Sequence, residues 1–153
     1  MLLRTHFIFA TFLGLLFLYF GFGGWIFFLC VLFGSLLPDV DTQTSSFGKW
    51  VVFRPLQAGL AHRGMTHSLF FLFVVATGFL YFLPIGLWGF VLGYCSHLFL
   101  DIMTLKGIPL FWPISQRFGG ILRTGGFIEQ VLFVILLLAC GILGVMLLLQ
   151  IFL

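Results

Sequence analysis

Three short polar clusters interrupt a chain of 153 residues that is otherwise almost entirely apolar. They run from Pro38 to Asp41, from His62 to Ser68 and from Ser96 to Thr104, and they hold three of the four acidic residues and three of the four histidines. An ionisable side chain inside a hydrophobic helix costs roughly 2.5–3.5 kcal/mol on insertion scales, so such residues are usually there for function. Carboxylates and imidazoles form the mixed ligand set of hydrolytic zinc sites. The clusters therefore predict a metal centre at a membrane surface.

The candidate ligands are the carboxylates and imidazoles of these clusters: Asp39, Asp41, His62, His67, His97 and Asp101. His97 and Asp101 are four residues apart, so on a helix they share one face. For this pair alone, a buried hydrogen bond that ties helices together is an equal alternative. Asp39 and Asp41 point apart in an extended turn, so one can bind metal while the other orients a histidine or a water. We slightly favour Asp39 as the direct ligand, although a D-x-D pair also occurs in solvated loops.

The candidate catalytic residues are Arg63, Glu129 and Asp39. The planar guanidinium of Arg63 can donate paired hydrogen bonds to the oxygens of a phosphate or carboxylate. Glu129 is a candidate general base or partner of a ligand histidine. Its alternatives are to pair with Arg123 or to favour the start of its helix electrostatically. If Asp39 is not a ligand, it is the other candidate proton acceptor. His6 sits near an interface with no polar neighbours of note, so it is left out of the predicted site.

Composition identifies the class of protein. The chain is 62% hydrophobic and 7% charged, with a mean hydropathy of +1.26, whereas a soluble domain carries about 25% charged residues. We therefore expect an integral membrane protein with a single domain over residues 1–153. The basic residues lie between apolar stretches and form no run, so direct nucleic-acid binding is not expected. The chain contains no H-E-x-x-H, G-x-S-x-G or Walker-type motif, so zincin, α/β-hydrolase and P-loop chemistry are not supported.

Five apolar stretches predict the elements that position the clusters. They cover residues 2–20, about 22–37, 68–83, 85–103 and 127–153. Glycine-rich residues 21–24 and the Pro84-Ile85-Gly86 segment mark tight turns. The predicted fold is all-α, with about five transmembrane helices arranged as two hairpins plus a C-terminal span. The first stretch could imitate a signal peptide, but we read it as an uncleaved first span because a second apolar helix follows at once.

The placement of the basic residues predicts the topology. With five spans, all seven Lys and Arg residues lie on one side of the membrane. The positive-inside rule makes that side cytoplasmic and leaves the C-terminus outside. The same arrangement brings the three clusters and Glu129 to the cytoplasmic ends of their helices.

The ordered motifs resemble one known family. L-P-D-x-D at Leu37 to Asp41, H-R-G-x-T-H-S at His62 to Ser68, and the run from Gly93 to Pro113 resemble the YdjM-like family of bacterial inner-membrane proteins, described as metal-dependent hydrolases. A Gly125-Gly126 pair before Glu129 is similar to the family's final acidic stretch. That family is distantly similar to zinc-dependent phospholipase C and related single-strand nucleases, in which an H-x-x-x-D pair binds metal. This chain lacks their additional histidines, which does not favour a three-metal site.

The resemblance implies hydrolysis by a membrane-bound enzyme of the bacterial inner membrane, without naming a substrate. We expect a divalent metal, with Zn²⁺ as the first choice and Mn²⁺ or Mg²⁺ as alternatives. A site at headgroup depth favours membrane lipids as partners and a phospholipid or lipid-linked phosphoester as substrate, with an ester or amide of a membrane lipid as the alternative. The alternatives are a metal-binding regulatory or scaffold protein without catalysis, and a small transporter. The sequence does not indicate an oligomeric state.

Overall fold

The computed structural model describes residues 1–41 and 64–152, and the described chain is all-helical, as predicted. The α-helices are α1 (Leu3–Tyr19), α2 (Trp25–Leu36), α3 (Leu69–Phe82), α4 (Leu87–Ile102) and α5 (Phe127–Phe152). Short 3-10 turns cover Leu37–Asp41, Met65–His67 and Pro84–Gly86. No β-strand forms within the described ranges, where the only sheet-like contacts are two isolated bridges in the segment between α4 and α5.

Two tight turns make the predicted hairpins. Between α1 and α2, Gly21 and Gly23 have φ angles of 74° and 78°, a left-handed conformation that glycine adopts without steric cost. Between α3 and α4, Pro84 begins a three-residue 3-10 turn. Both turns line one shared apolar cavity, to which α1 also contributes Phe17. They therefore lie together at one end of the molecule.

Local chemistry ends α2 and begins α3 at the opposite end. Pro38 has no backbone N–H for an α-helical hydrogen bond, and the chain continues from Leu36 as a 3-10 turn. The backbone N–H of Phe71 donates to Ser68 Oγ at 3.3 Å, so Ser68 caps α3. These two helix ends place Asp39 and His67 in short turns next to the bundle.

Glycines bring α2 and α4 into direct backbone contact. A Cβ atom on Gly93 would lie 1.9 Å from the carbonyl oxygen of Val31, and one on Gly34 would lie 2.3 Å from that of Phe90. Any larger side chain would force the two helices apart. We call this contact the glycine seam. It leads directly to Ser35 on α2 and to His97 on α4.

Two of the described helices are long and apolar enough to cross a membrane: Pro84–Ile102, with 19 residues, and Phe127–Phe152, with 26. The apolar helices Leu3–Tyr19, Trp25–Val40 and Leu69–Phe82 are shorter than the roughly 20 residues of a typical span. The five-span arrangement therefore remains a prediction. Large apolar side chains cover much of the outer surface, among them Phe82, 91% exposed, and Trp88, 73% exposed, as expected for contact with lipid.

Candidate metal centre

Four of the predicted ligands lie together where the helices end. Asp39 follows α2, His67 precedes α3, and His97 and Asp101 lie in the last two turns of α4. The Nε2 atom of His67 is 3.6 Å from Asp39 Oδ1 and 3.7 Å from Asp101 Oδ2. The Nε2 atom of His97 is 3.8 Å and 3.7 Å from the same two oxygens. Two imidazoles and two carboxylates thus face one another across a single small space.

These separations fit a shared ion. Direct hydrogen bonds to nitrogen are about 2.7–3.2 Å long, and the four nitrogen–oxygen distances exceed that range. Two ligands that bind one Zn²⁺ at about 2.0–2.2 Å lie roughly 3.3–3.6 Å apart in tetrahedral geometry. His67, His97 and Asp101 form one group with ligand atoms within 4.8 Å of one another, and His6, Asp39 and His97 form a second. The donor set is therefore one that could hold a divalent metal.

His97 is held in the orientation that a ligand needs. Its Nδ1 atom is 2.7 Å from the carbonyl oxygen of Ser35, so the Nδ1–H tautomer donates across the glycine seam. This leaves the lone pair on Nε2, which is buried and makes no hydrogen bond within the described part of the chain. A carbonyl that fixes the tautomer and the ring in this way is typical of metal-binding histidines.

His67 is positioned by polar groups at the start of α3. Its Nδ1 atom lies 3.2 Å from Thr66 Oγ1. The hydroxyl of Tyr94, on α4, donates to the carbonyl of Thr66. All three side chains are buried. Helix α4 therefore carries His97 and, through Tyr94, also contacts the turn that holds His67.

His6 belongs to the cluster, and the sequence interpretation missed it. Its ring stacks on that of His97 with a centroid distance of 3.9 Å and an interplanar angle of 14°. Its Nε2 atom is 3.2 Å from Asp101 Oδ1, and the residue is 1% exposed. No other Asp, Glu or His lies near it in sequence, but its position at the start of α1 was a usable signal, because the other clusters were predicted to lie at the same depth.

Glu129 supports the structure around the cluster. Its Oε1 atom accepts hydrogen bonds from the backbone N–H of Leu2 at 2.7 Å and from Thr5 Oγ1 at 2.8 Å. Its Oε2 atom accepts one from the backbone N–H of Gly125 at 2.6 Å. These contacts engage both carboxylate oxygens, and no pairing with Arg123 is seen among the described residues. The role of Glu129 as a general base stays a prediction. Glu129 ties the beginning of α1 to the beginning of α5.

The same N-terminal segment approaches Asp101. The amino group of Met1 forms an ion pair with Asp101 Oδ1, the oxygen that also faces His6. Asp101 Oδ2 faces the two other histidines. One carboxylate thus connects the N-terminal segment with the His67–His97 pair.

Three of the predicted site residues cannot be placed. His62 and Arg63 lie outside the described residues, and of Asp41 only the backbone, at the end of the 3-10 turn, is described. Their proposed roles as ligands and as an anion clamp remain predictions.

The comparisons with known proteins agree with the motif pattern. The family model described as "YdjM inner membrane protein" matches residues 1–152. The chain belongs to the YdjM family. Inner membrane protein YdjM of Escherichia coli (strain K12) is 41% identical over an alignment that covers 54% of this chain and 47% of that protein, and a relative of the same name occurs in Shigella flexneri with the same identity. Uncharacterized protein YvsG of Bacillus subtilis (strain 168) is 33% identical, with 69% of this chain and 70% of that protein aligned.

The chain spans about half the length of the YdjM proteins that it matches. No solved structure matches it significantly. The family assignment therefore supports a membrane protein, and the names of these relatives state no reaction or cofactor.

Proposed function

We propose that the chain is a membrane-embedded, metal-dependent hydrolase that acts at the cytoplasmic face of the bacterial inner membrane. The observation that carries the proposal is the group formed by the buried residues His67, His97 and Asp101 and the half-buried Asp39, joined by the buried His6. Burying four ionisable side chains in an apolar bundle is costly unless they are paired or bind an ion. A divalent cation offsets that cost and gives the group a function.

Zn²⁺ is the ion that we favour, because three imidazole and carboxylate ligands that leave a position open for water are typical of catalytic zinc. Mn²⁺ and Mg²⁺ are the alternatives, since both accept carboxylate oxygens. His67, His97 and Asp101 would hold the ion, and Asp39 and His6 would complete its surroundings. When bound, such an ion supplies Lewis acidity and water of lowered pKa.

The chain's own residues supply orientation and proton transfer. The carbonyl of Ser35 keeps Nε2 of His97 unprotonated, and Asp101 holds the orientation of His6. Asp39 has a side chain that is 16% exposed, against 7% for Asp101, so water and substrate reach the group from its side. Asp39 is therefore the acceptor that we propose for the proton of the attacking water. In this proposal Arg63 orients the anionic group under attack.

The depth of the group favours a lipid substrate. The cluster lies where helices begin and end, at the end of the molecule opposite the two tight turns. With five spans, this end lies at the level of the lipid headgroups on the cytoplasmic side. We therefore propose a phospholipid or lipid-linked phosphoester as substrate. A transporter is less favoured, since transport sites lie near the middle of the membrane.

Hydrolysis by the purified full chain tests the proposal. Short-chain phospholipids and a generic phosphodiester would be offered with and without Zn²⁺ or Mn²⁺. We expect metal-dependent turnover that Asp101→Asn reduces by at least about 100-fold, because the change removes a ligand charge at nearly constant size. Cys95→Ala, on the exposed face of the same helix, is the matched control and should keep full activity. Metal binding without turnover of any substrate in the panel would favour the scaffold alternative.

A further inference from the structure

The segment between the two candidate spans forms a surface that is held together by backbone contacts. Residues 105–126 connect the end of α4 to the start of α5. In a membrane they therefore lie at the interface, on the same side as the candidate metal centre. The isolated bridges Thr104–Leu122 and Ile108–Phe118 hold the segment together. The backbone N–H of Leu69, at the start of α3, donates to the carbonyl of Leu110 at 3.0 Å. We call residues 105–126 the platform.

The two faces of the platform differ in character. Its inner face buries Ile108, 2% exposed, against α4, and Leu122, 9% exposed, near Met1 and Leu100. Its outer face leaves Ile121 87% exposed and Ile114 61% exposed. The platform therefore packs firmly on the bundle and still exposes large aliphatic side chains.

Cations lie among these exposed apolar groups. Lys106, Arg117 and Arg123 are all exposed, and none has an ion-pair partner within the described ranges. Residues 105–126 contain no Asp or Glu. Aliphatic side chains interspersed with such cations suit the boundary between acyl chains and anionic headgroups. At that boundary, each Lys or Arg raises the affinity for an anionic membrane about fivefold.

We infer that the outer face of the platform binds the headgroups of anionic phospholipids, with Lys106, Arg117 and Arg123 at the phosphates and with Ile114 and Ile121 in the acyl boundary. The inference requires the membrane setting of the proposed function but not hydrolysis. Lipid binding and turnover are therefore tested separately.

Competition between two lipids in mixed micelles tests the inference. The purified full chain is equilibrated with equal amounts of phosphatidylglycerol and phosphatidylcholine, and the retained lipids are counted by mass spectrometry. We expect a preference for phosphatidylglycerol that falls at least about tenfold in the triple variant Lys106→Gln, Arg117→Gln, Arg123→Gln. The charge-retaining set Lys106→Arg, Arg117→Lys, Arg123→Lys should keep the preference. Lys49→Gln with Arg54→Gln, outside the platform, should also keep it.

A second measurement does not depend on the triple variant. A polarity-sensitive fluorophore on Ile121→Cys, in a background without the natural cysteines, should shift to the blue more strongly in phosphatidylglycerol vesicles than in phosphatidylcholine vesicles. The inference is overturned if the Gln triple variant keeps the wild-type preference, or if the fluorophore reports water in both vesicles. Loss of the preference upon addition of millimolar glycerol phosphate would also overturn it, because the site would then bind a free anion.

Discussion

The centre is defined by which atom of each residue faces inward. His97 turns Nδ1 toward the Ser35 carbonyl and Nε2 toward two carboxylates. Oδ1 of Asp101 faces His6, and its Oδ2 faces His67 and His97. The i,i+4 spacing of His97 and Asp101 predicted that these two residues share a face. This spacing could not predict that His6 joins them, because the stacking of His6 on His97 depends on how α1 packs against α4.

His6 offers the sharpest test at the scale of one residue. His6→Phe keeps an aromatic ring stacked on His97 but removes both nitrogens. If His6 contributes a ligand or orients Asp101, the affinity for Zn²⁺ should fall by about 10–100-fold while the fold persists. Titration with a competing chelator measures the affinity, and Thr11→Ala, further along α1, is the control. Wild-type affinity in His6→Phe would show that the stacked ring is only a packing residue.

The helices hold these residues through close packing and short turns. The glycine seam lets the backbones of α4 and α2 contact each other, and Ser68 caps the start of α3. The sequence indicated the hairpins, since Gly21, Gly23 and Pro84 punctuate apolar stretches. The sequence interpretation missed the seam, although Gly89 and Gly93 form a G-x-x-x-G pattern, which lets two helix backbones approach closely.

Gly93→Ala tests the seam. The added Cβ atom would lie 1.9 Å from the Val31 carbonyl oxygen, so α2 and α4 must separate, at a cost of about 1–3 kcal/mol. Thermal unfolding in detergent measures the loss. The control is Gly78→Ala in α3, where the new Cβ has no neighbour within 4 Å and should stabilise the helix by about 0.5–1 kcal/mol. Equal effects of the two substitutions would argue against the seam.

Glu129 is tested at the junction of α1 and α5. Glu129→Ala leaves the donors of Leu2, Thr5 and Gly125 without their acceptor. The Thr5 hydroxyl is buried, and a buried unsatisfied donor costs about 1–3 kcal/mol. We expect a thermal midpoint that is lower by several degrees and a weaker metal affinity, because the segment carrying His6 loses its anchor. The control is Gln130→Ala, at an exposed neighbouring position. A general base would behave differently, since its loss would abolish turnover and leave stability and metal affinity unchanged.

At the scale of the whole molecule, the described ligands lie at the same end of the helices as the described basic residues Arg4, Lys106, Arg117 and Arg123. Hydropathy predicted a helical membrane protein, and the family assignment supports that class. Helix length did not follow directly from hydropathy: α2 has 12 residues within an apolar stretch of about 16, because the glycine turn precedes it and Pro38 follows.

Topology is tested by cysteine labelling in intact cells. In a background without the natural cysteines, Ser46→Cys and Gln116→Cys should resist a membrane-impermeant maleimide, and Gln150→Cys should react. The reason is that the seven basic residues all fall on one side when five helices span the membrane. Opposite accessibility of Ser46→Cys and Gln116→Cys would break the five-span arrangement.

Metal content of the purified full chain tests the central claim most directly. Elemental analysis would compare the wild-type protein with His97→Ala after identical loading with Zn²⁺ or Mn²⁺ and removal of free ions. The account predicts about one or more tightly held ions per wild-type chain and a loss of at least about tenfold in the variant, with helix content unchanged by circular dichroism. Equal metal content in the two proteins, or no retained metal in either, would contradict it.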